Sequence, residues 1–257
     1  MPHVSLETLD VPRMPTQLVV VAQDHDTWTE AEEGLHDYGS LLAVVKVNSL
    51  AIRFGAEDAV RRHSLHGLLT MHDAKYHDTD KTMRRSTREA TLSGASIITV
   101  HASAGEEGLD AAISGVQDAL KIRPDLPKPW LVGVTVLTSF DETVCESVFG
   151  EGRQTKVDEF VSWLSTRDID GVVCSAHESA RVKSKRNNSH LRVLTAAVRP
   201  EHDIEPDEQA NAVTPRIARE EGADLYIVGR GIIRAKRFGL TGKEALIRVG
   251  EEIAQFN

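Results

Sequence analysis

Eight short apolar runs recur along the 257-residue chain, and this repetition constrains the fold more than any other feature. Most of the runs are continuously apolar rather than alternating, which is typical of parallel strands buried on both faces. Segments of helical character separate them, with start and stop signals such as Thr214-Pro215 and Gly94. We predict strands at Leu18–Ala22, Leu42–Val47, Leu68–Met71, Ile97–His101, Leu131–Leu137, Gly171–Cys174, Leu191–Val198 and Leu225–Val228.

This alternation of strands and helices predicts an α/β fold, a (β/α)8 TIM barrel, in one domain. No composition shift or linker divides the chain, so we expect an N-terminal arm on the surface over 1–17 and the catalytic barrel over 18–257. A doubly wound open sheet is the alternative at this level. That fold usually has a glycine-rich phosphate loop after its first strand, whereas residues 22–26 contain no glycine.

Composition excludes several classes of partner. The formal net charge of −9 argues against bulk binding to nucleic acid or to an anionic membrane surface. Two cysteines cannot form a disulfide framework, and we expect a reducing, cytoplasmic location. No apolar run approaches the length of a membrane span, and the N-terminus lacks a signal-peptide core.

Three segments match the capping box, in which a hydroxyl and a carboxylate satisfy each other's backbone amides. They begin at Thr27, Ser139 and Thr241, each with a glutamate three residues later. We therefore expect a helix to begin at each of these positions. For Ser139, a role in capping and a role in binding are compatible.

Polar residues follow the apolar runs, and in a β/α barrel the active site lies at the C-terminal ends of the strands. In an extended chain Asp73 and Lys75 project to the same face, and Lys46 on the neighbouring strand can reach Asp73. Asp78 lies beyond the strand, and we expect it to point toward a loop or another subunit. The candidates at strand ends are Asp24, Lys46, Asp73, Lys75, His101, Thr138, Ser139, Ser175, Arg199, Gly229 and Arg230.

Other residues with chemical potential have simpler interpretations. A structural ion pair is the alternative reading of Asp73 and Lys75. His101 is interpreted as a hydrogen-bonded interior histidine and Cys174 as a core residue. The basic run over 181–186 is interpreted as a solvated helix face, and the scattered histidines have no zinc-ligand spacing.

The segment Asp73-Ala74-Lys75-Tyr76-His77-Asp78, with Thr82 four residues later, resembles the Asp-x-Lys-x-x-Asp signature of the orotidine 5′-phosphate decarboxylase family. The resemblance runs from about Leu18 to the last helix, and its ordered spacing is more specific than one motif. Further similar segments, in order, are Ala22-Gln23-Asp24, Val45-Lys46-Val47, Val100-His101-Ala102, Val134–Ser139, Asp170–Ala176, Gln209, Thr214-Pro215, Gly222-Ala223-Asp224 and Val228-Gly229-Arg230.

The resemblance implies decarboxylation of orotidine 5′-phosphate to uridine 5′-phosphate, a step of de novo pyrimidine biosynthesis. It implies a homodimer with shared sites and no metal or organic cofactor. The implied catalytic array is Lys46, Asp73 and Lys75 of one subunit with Asp78 of the other, and Lys75 is the implied proton donor. The implied substrate contacts are Asp24, Lys46, Asp78 and Thr82 at the ribose, Ser139 at the pyrimidine, and Gln209, Gly229 and Arg230 at the phosphate.

The chain departs from the family pattern at several positions that carry no charge of the array. The segment after the seventh strand, Ala196–Pro200, lacks the glycine usual before its arginine, and 201–210 contains none. Glycine lets backbone amides approach a phosphate closely. Asn48 and Thr79 stand where glycine and isoleucine are usual, and Glu208 and Asn211 where aspartate and arginine are common.

Two other functions are alternatives. The first is a related phosphosugar decarboxylase or aldolase, such as the keto-gulonate-phosphate decarboxylase and hexulose-phosphate synthase group. Those enzymes typically carry a metal-linked glutamate on the second strand, where this chain has Lys46. The second is a non-catalytic barrel that binds a nucleotide, which would have no need of Lys75.

Overall fold

Eight parallel strands close into a barrel in chain order, in a computed structural model that describes residues 5–204 and 213–255. The pairing of β1 with β8 closes the sheet, with Val20 opposite Ile227. The TIM-barrel prediction is therefore confirmed, and the open sheet is excluded. The strands are β1 (Val19–Ala22), β2 (Val44–Val47), β3 (Leu69–Tyr76), β4 (Ile97–His101), β5 (Trp130–Val134), β6 (Gly171–Cys174), β7 (Arg192–Thr195) and β8 (Leu225–Val228).

Helices follow the strands around the outside of the barrel. The α-helices are α1 (Glu7–Asp10), α2 (Trp28–Tyr38), α3 (Ser49–Phe54), α4 (Ala56–Leu65), α5 (Asp80–Leu92), α6 (Gly105–Ile122), α7 (Glu142–Phe149), α8 (Arg153–Ser165), α9 (Ala176–Ser184), α10 (Pro215–Glu220), α11 (Arg230–Ile233) and α12 (Gly242–Ala254). Short 3-10 helices lie at Pro15–Leu18, Gly39–Leu41, Ala102–Ala104, Arg186–Asn188, Glu201–Asp203 and Ala235–Phe238. Within the described ranges no helix is long and apolar enough to cross a membrane. The cytoplasmic location stays a prediction.

The predicted strand bounds are confirmed at β4, β6 and β8, and the predictions for the other five strands are wrong at one or both ends. The strand β3 continues to Tyr76, five residues past the predicted end, because His72 and Tyr76 both pair with β4, on either side of a register shift. The strand β5 ends at Val134, although Val136 and Leu137 are apolar, because the chain turns away there. An apolar run indicates which residues are buried, but it does not by itself show where strand pairing ends.

Two of the three predicted helix starts are confirmed. Thr241 forms a full capping box with Glu244, and the Thr27 hydroxyl accepts from the Glu30 N–H. The prediction at Ser139 is wrong. There α7 begins at Glu142, and the Asp141 carboxylate caps it by accepting from the Val144 N–H.

The N-terminal segment covers the end of the barrel where the strands begin. Leu9 is buried in the barrel interior rather than lying on the surface. Arg192, at the start of β7, binds Asp10 at 2.9 Å and lies 4.1 Å from the centroid of the Trp130 ring. This contact leaves the opposite end, where the strands finish, as the open mouth of the barrel.

A buried polar network joins the barrel wall to the outer helices beside this mouth. His63 on α4 is fully buried, with Nδ1 2.8 Å from the Thr70 hydroxyl and Nε2 2.8 Å from Gln23 Oε1. Gln23 Nε2 donates to the Ala31 carbonyl, so its Oε1 is the acceptor and His63 Nε2 carries the proton. Burial lowers the pKa of His63 from 6.5 to about 3, and the ring is neutral in the folded protein.

We predict that His63→Gln flattens the dependence of stability on pH in acid. The unfolded chain protonates His63 below pH 6.5, whereas the folded protein does so only near pH 3. The stability from this group is therefore present above pH 6.5 and is lost as the pH falls, by at most about 1.4 kcal/mol per pH unit. Urea unfolding at several pH values measures the slope, with exposed His190→Gln as the control. Parallel curves for the wild type and His63→Gln would contradict the assignment.

Candidate active site

Four charged side chains form a continuous row of alternating sign at the barrel mouth. Lys46 Nζ lies 3.4 Å from Asp24 Oδ1 and 3.1 Å from Asp73 Oδ2. Lys75 Nζ donates to the same Asp73 Oδ2 at 2.6 Å. The sequence predicted the proximity of Lys46, Asp73 and Lys75, and the structure brings these three together with Asp24.

Strand register explains why the row forms. Lys46 on β2 pairs with Ala22 on one side and with Met71 on the other. Asp24 and Asp73 each follow those partners by two residues, so they flank Lys46 one step further toward the mouth. Neighbouring strands of a parallel barrel therefore deliver the alternating charges without any long loop.

Burial divides the row into an inner pair and two outer members. The side chains of Lys46 and Asp73 are 9% and 6% exposed, whereas those of Lys75 and Asp24 are 32% and 58% exposed. A buried charge needs a partner and hydrogen bonds, because desolvation otherwise disfavours it strongly. The Lys46–Asp73 pair meets this need, and it leaves Lys75 as the cation that is both anchored and accessible.

The backbone at Lys75 differs from the extended geometry expected from the sequence. Three residues of β3, from Asp73 to Lys75, lie opposite the single residue Thr99 of β4, where the register shifts. Lys75 has φ of 49°, in the left-handed region that costs a non-glycine residue about 1–2 kcal/mol. The predicted contact of Asp73 with Lys75 is right, but a bulge rather than simple alternation produces it.

Two polar residues that sequence reasoning did not place in the site hold this bulge. The Thr99 hydroxyl donates to Asp73 Oδ1 at 3.0 Å, and it accepts from the Lys75 N–H at 2.9 Å. Asn48 Nδ2 donates to the Asp73 carbonyl at 2.6 Å. Asn48 was visible in the sequence only as a departure from the family glycine. Thr99 lies inside an apolar run and gave no signal.

Asp78 and Thr82 lie apart from the row. The Asp78 carboxylate accepts from the Thr79 N–H at 2.7 Å, and this hydrogen bond is the main reason that its pKa is lowered. Thr79 also donates its hydroxyl toward Asp78 and Thr82. Within the described ranges neither residue has a hydrogen bond or ion pair to the row, in agreement with the expected outward direction of Asp78.

The structure describes three of the four residues expected around the phosphate and the pyrimidine. Gly229 adjoins the row, because a Cβ there would lie 3.8 Å from Asp24 Oδ2, and Arg230 is exposed at the start of α11. Ser139 is exposed in the turn after β5. Gln209 lies outside the described residues.

The glycine-poor segment after β7 adopts a backbone that normally favours glycine. Ala197 has φ of 60°, in the left-handed region. The Arg199 N–H donates to the Val213 carbonyl at 2.8 Å, and Val198 bridges Val213. The local conformation that a glycine would allow is therefore present here with an alanine.

His101, which lies near the row, is neutral at physiological pH. Burial, together with nearby His77 and Lys75, lowers the pKa of His101 from 6.5 to about 4. The expectation of a hydrogen-bonded His101 is not met at Nδ1, which is buried without a partner. Within the described ranges, no group of three or more histidine, cysteine and acidic side chains is placed to hold a metal ion.

Cys174 and the basic run lie outside this chemistry. Cys174 is buried in the core, as predicted, and burial raises its pKa to about 12. Arg181 and Lys185 both pair with Asp158 on the surface. The predicted solvated helix face is therefore confirmed, and two of its cations form surface ion pairs.

Comparison with known proteins covers most of the chain. Residues 17–244 match the model of the "Orotidine 5′-phosphate decarboxylase / HUMPS family". The orotidine 5′-phosphate decarboxylase of Vibrio parahaemolyticus is 31% identical over 226 residues, which are 86% of this chain and 93% of that protein.

Solved structures give the same picture of the fold. An uncharacterized conserved protein from Geobacillus kaustophilus has a TM-score of 0.76 at 26% identity, over 91% of this chain and 99% of that one. The orotidine 5′-phosphate decarboxylase of Lactobacillus acidophilus has a TM-score of 0.75 at 24% identity, over 91% and 98% of the two chains. The family match over residues 17–244, with the 31% identity to the Vibrio parahaemolyticus protein, establishes that the chain belongs to the orotidine 5′-phosphate decarboxylase / HUMPS family.

Proposed function

We propose that the protein decarboxylates orotidine 5′-phosphate to uridine 5′-phosphate, without metal or organic cofactor. The observation that carries this proposal is the row from Asp24 to Lys75, in which a buried carboxylate holds an accessible ammonium at 2.6 Å. Lys46 also distinguishes the chain from the phosphosugar enzymes, which typically have a glutamate at that position. A nucleotide sensor would not require Lys75.

The reaction breaks one carbon–carbon bond and leaves its electron pair on a pyrimidine carbon. That carbon has no adjacent electron sink, so a fixed positive charge is the natural stabilising group. The Lys75 ammonium then transfers a proton to the carbon, carbon dioxide departs, and solvent reprotonates the amine. Asp73 would lie beside the substrate carboxylate and hold Lys75 in place.

The remaining contacts follow from the layout of the mouth. Asp24 and Lys46 would address the ribose hydroxyls, and Ser139 the pyrimidine. The phosphate would lie at Gly229 and Arg230, with Gln209. Binding energy from the phosphate, which does not react, can orient the ring over Lys75.

The active site is proposed to be shared in a homodimer. Among the described residues Asp78 has no hydrogen bond or ion pair to its own row, so it and Thr82 would complete the ribose contacts of the partner subunit. The helix α3, which follows Lys46 closely in the chain, exposes Ile52 by 75% and Phe54 by 45%. Exposed apolar side chains beside a site support an interface there.

We predict that the purified protein consumes orotidine 5′-phosphate in a buffer that contains a chelator and no added metal. Loss of the orotate absorbance measures turnover, and the product is identified as uridine 5′-phosphate by chromatography. A requirement for added divalent metal would reject the cofactor-free mechanism. Absence of turnover with and without metal would reject the proposed reaction.

We predict that Lys75→Ala lowers kcat by about 10²- to 10⁴-fold, because it removes the proton donor. Affinity for uridine 5′-phosphate, measured by calorimetry, should remain, because the phosphate and ribose contacts are intact. Lys128→Ala is the control, since Lys128 pairs with Asp168 on the surface. A normal rate in Lys75→Ala would mean that another group donates the proton.

We predict that mixing inactive Asp78→Asn and Lys75→Ala chains restores activity. In a mixed dimer, one site receives an intact Lys75 from one chain and an intact Asp78 from the other. Random pairing makes half of the dimers mixed, with one working site each, so about a quarter of the wild-type activity should return. Lys46→Ala mixed with Lys75→Ala is the control, because both residues belong to the same side of the site. Inactivity of proven Asp78→Asn/Lys75→Ala dimers would refute the sharing.

A further inference from the structure

The Thr99 hydroxyl forms hydrogen bonds with both residues of the Asp73–Lys75 ion pair. Thr99 is fully buried on β4, where its hydroxyl donates to Asp73 Oδ1 and accepts from the Lys75 N–H. The buried Thr91 hydroxyl, by contrast, donates within its own helix, to the Thr87 carbonyl at 2.8 Å. The Thr99 hydroxyl instead acts as donor and as acceptor toward residues of the row.

We propose that Thr99 is a positioning residue, which fixes the placement of the Asp73 carboxylate relative to the Lys75 ammonium. This inference rests on the proposed function, because its consequence is a rate of decarboxylation. The geometry on which it stands, however, is that of the bulge in β3. The role of Thr99 can therefore be tested through the backbone amide of Lys75 as well as through the rate of the reaction.

The two oxygens of Asp73 have separate tasks. Oδ2 faces Lys46 at 3.1 Å and Lys75 at 2.6 Å, whereas Oδ1 is held by Thr99 at 3.0 Å. Without the hydroxyl, the carboxylate can rotate, and both oxygens compete for the two ammonium groups. The direction in which Lys75 is held toward the mouth is then no longer unique.

The same hydroxyl supports the backbone of Lys75. In the bulge, the Lys75 N–H donates to the side-chain hydroxyl of Thr99. Removing that acceptor leaves an N–H without a partner at a residue whose φ is 49°. The left-handed conformation loses its support, and the Lys75 ammonium shifts with it.

Asn48 supports the bulge from the opposite neighbour. Its Nδ2 donates to the carbonyl of Asp73 at 2.6 Å, so β3 is held from both sides, by Asn48 after β2 and by Thr99 on β4. Glycine, which is usual at the position of Asn48 in the family, has no such donor. This chain thus places a second anchor on the residue that orients the proton donor.

The test compares Thr99→Val, which keeps the shape and removes the hydroxyl, with Thr99→Ser, which keeps the hydroxyl. We expect Thr99→Val to lower kcat by about 100-fold, the effect of a misplacement of about 1 Å. Thr99→Ser should stay within about fivefold of the wild type, and affinity for uridine 5′-phosphate within about twofold in both. Thr91→Val is the matched control, since it removes a buried hydroxyl far from the row, and it should keep the wild-type kcat.

Three outcomes would overturn the proposal. They are an unchanged kcat in Thr99→Val, an equal loss in Thr91→Val, and a rise in KM with kcat intact, which would indicate a contribution to uniform binding. If Thr99→Val does not fold, Asn48→Ala decides, with an expected loss in kcat of about tenfold and unchanged affinity for uridine 5′-phosphate.

Amide hydrogen exchange separates this proposal from the proposed function. NMR of the free protein should show slow exchange at the Lys75 amide in the wild type and faster exchange in Thr99→Val, since the acceptor is lost. Equal exchange rates would overturn the role of Thr99 whether or not the protein turns over orotidine 5′-phosphate. An inactive wild type with the expected change in exchange would reject the reaction and leave the anchoring of the bulge in place.

Discussion

The burial of the Asp73 carboxylate is the constraint on which the rest of the site depends. A carboxylate on a side chain that is 6% exposed stays charged only where cations and donors surround it. Lys46, Lys75 and Thr99 supply these partners from β2, β3 and β4. Three adjacent strands are thus tied together by one side chain, and the ammonium of Lys75 is held at the barrel mouth as a consequence.

Two residues at this end of the barrel have strained backbone conformations. Lys75 and Ala197 both occupy left-handed conformations, one in the charged row and the other in the segment after β7. Such conformations persist where surrounding contacts determine them. At Lys75 the Thr99 hydroxyl provides the contact, and near Ala197 the pairing of the Val198–Arg199 segment with Val213 does so. Both positions lie at the end of the barrel where ligand binding is proposed.

The fold and the core of the site were readable from the sequence because both depend on short-range pattern. Eight apolar runs predict eight buried strands, and the placement of Asp24, Lys46 and Asp73 at the ends of those runs predicts their convergence. What the sequence did not reveal depends on pairing between distant segments. The bulge in β3 exists because of its register with β4, and the role of Thr99 follows from that register alone. Asn48 could be noticed as unusual, but its bond to Asp73 joins residues 25 positions apart.

The acidity of the chain and the anionic ligand proposed for it are reconciled by where the charges lie. The net charge of −9 is a property of the whole surface, whereas the row is balanced, with two lysines against two aspartates. The inner pair is largely removed from solvent, which leaves Lys75 as the exposed cation anchored by Asp73. An anion that reaches the mouth therefore finds there a positive charge that Asp73 holds in place. The mouth is the accessible end of the barrel because Leu9 and the contact of Asp10 with Arg192 cover the other. One end of the barrel thus contributes stability, and the other is free to carry strained, charged and chemically useful residues.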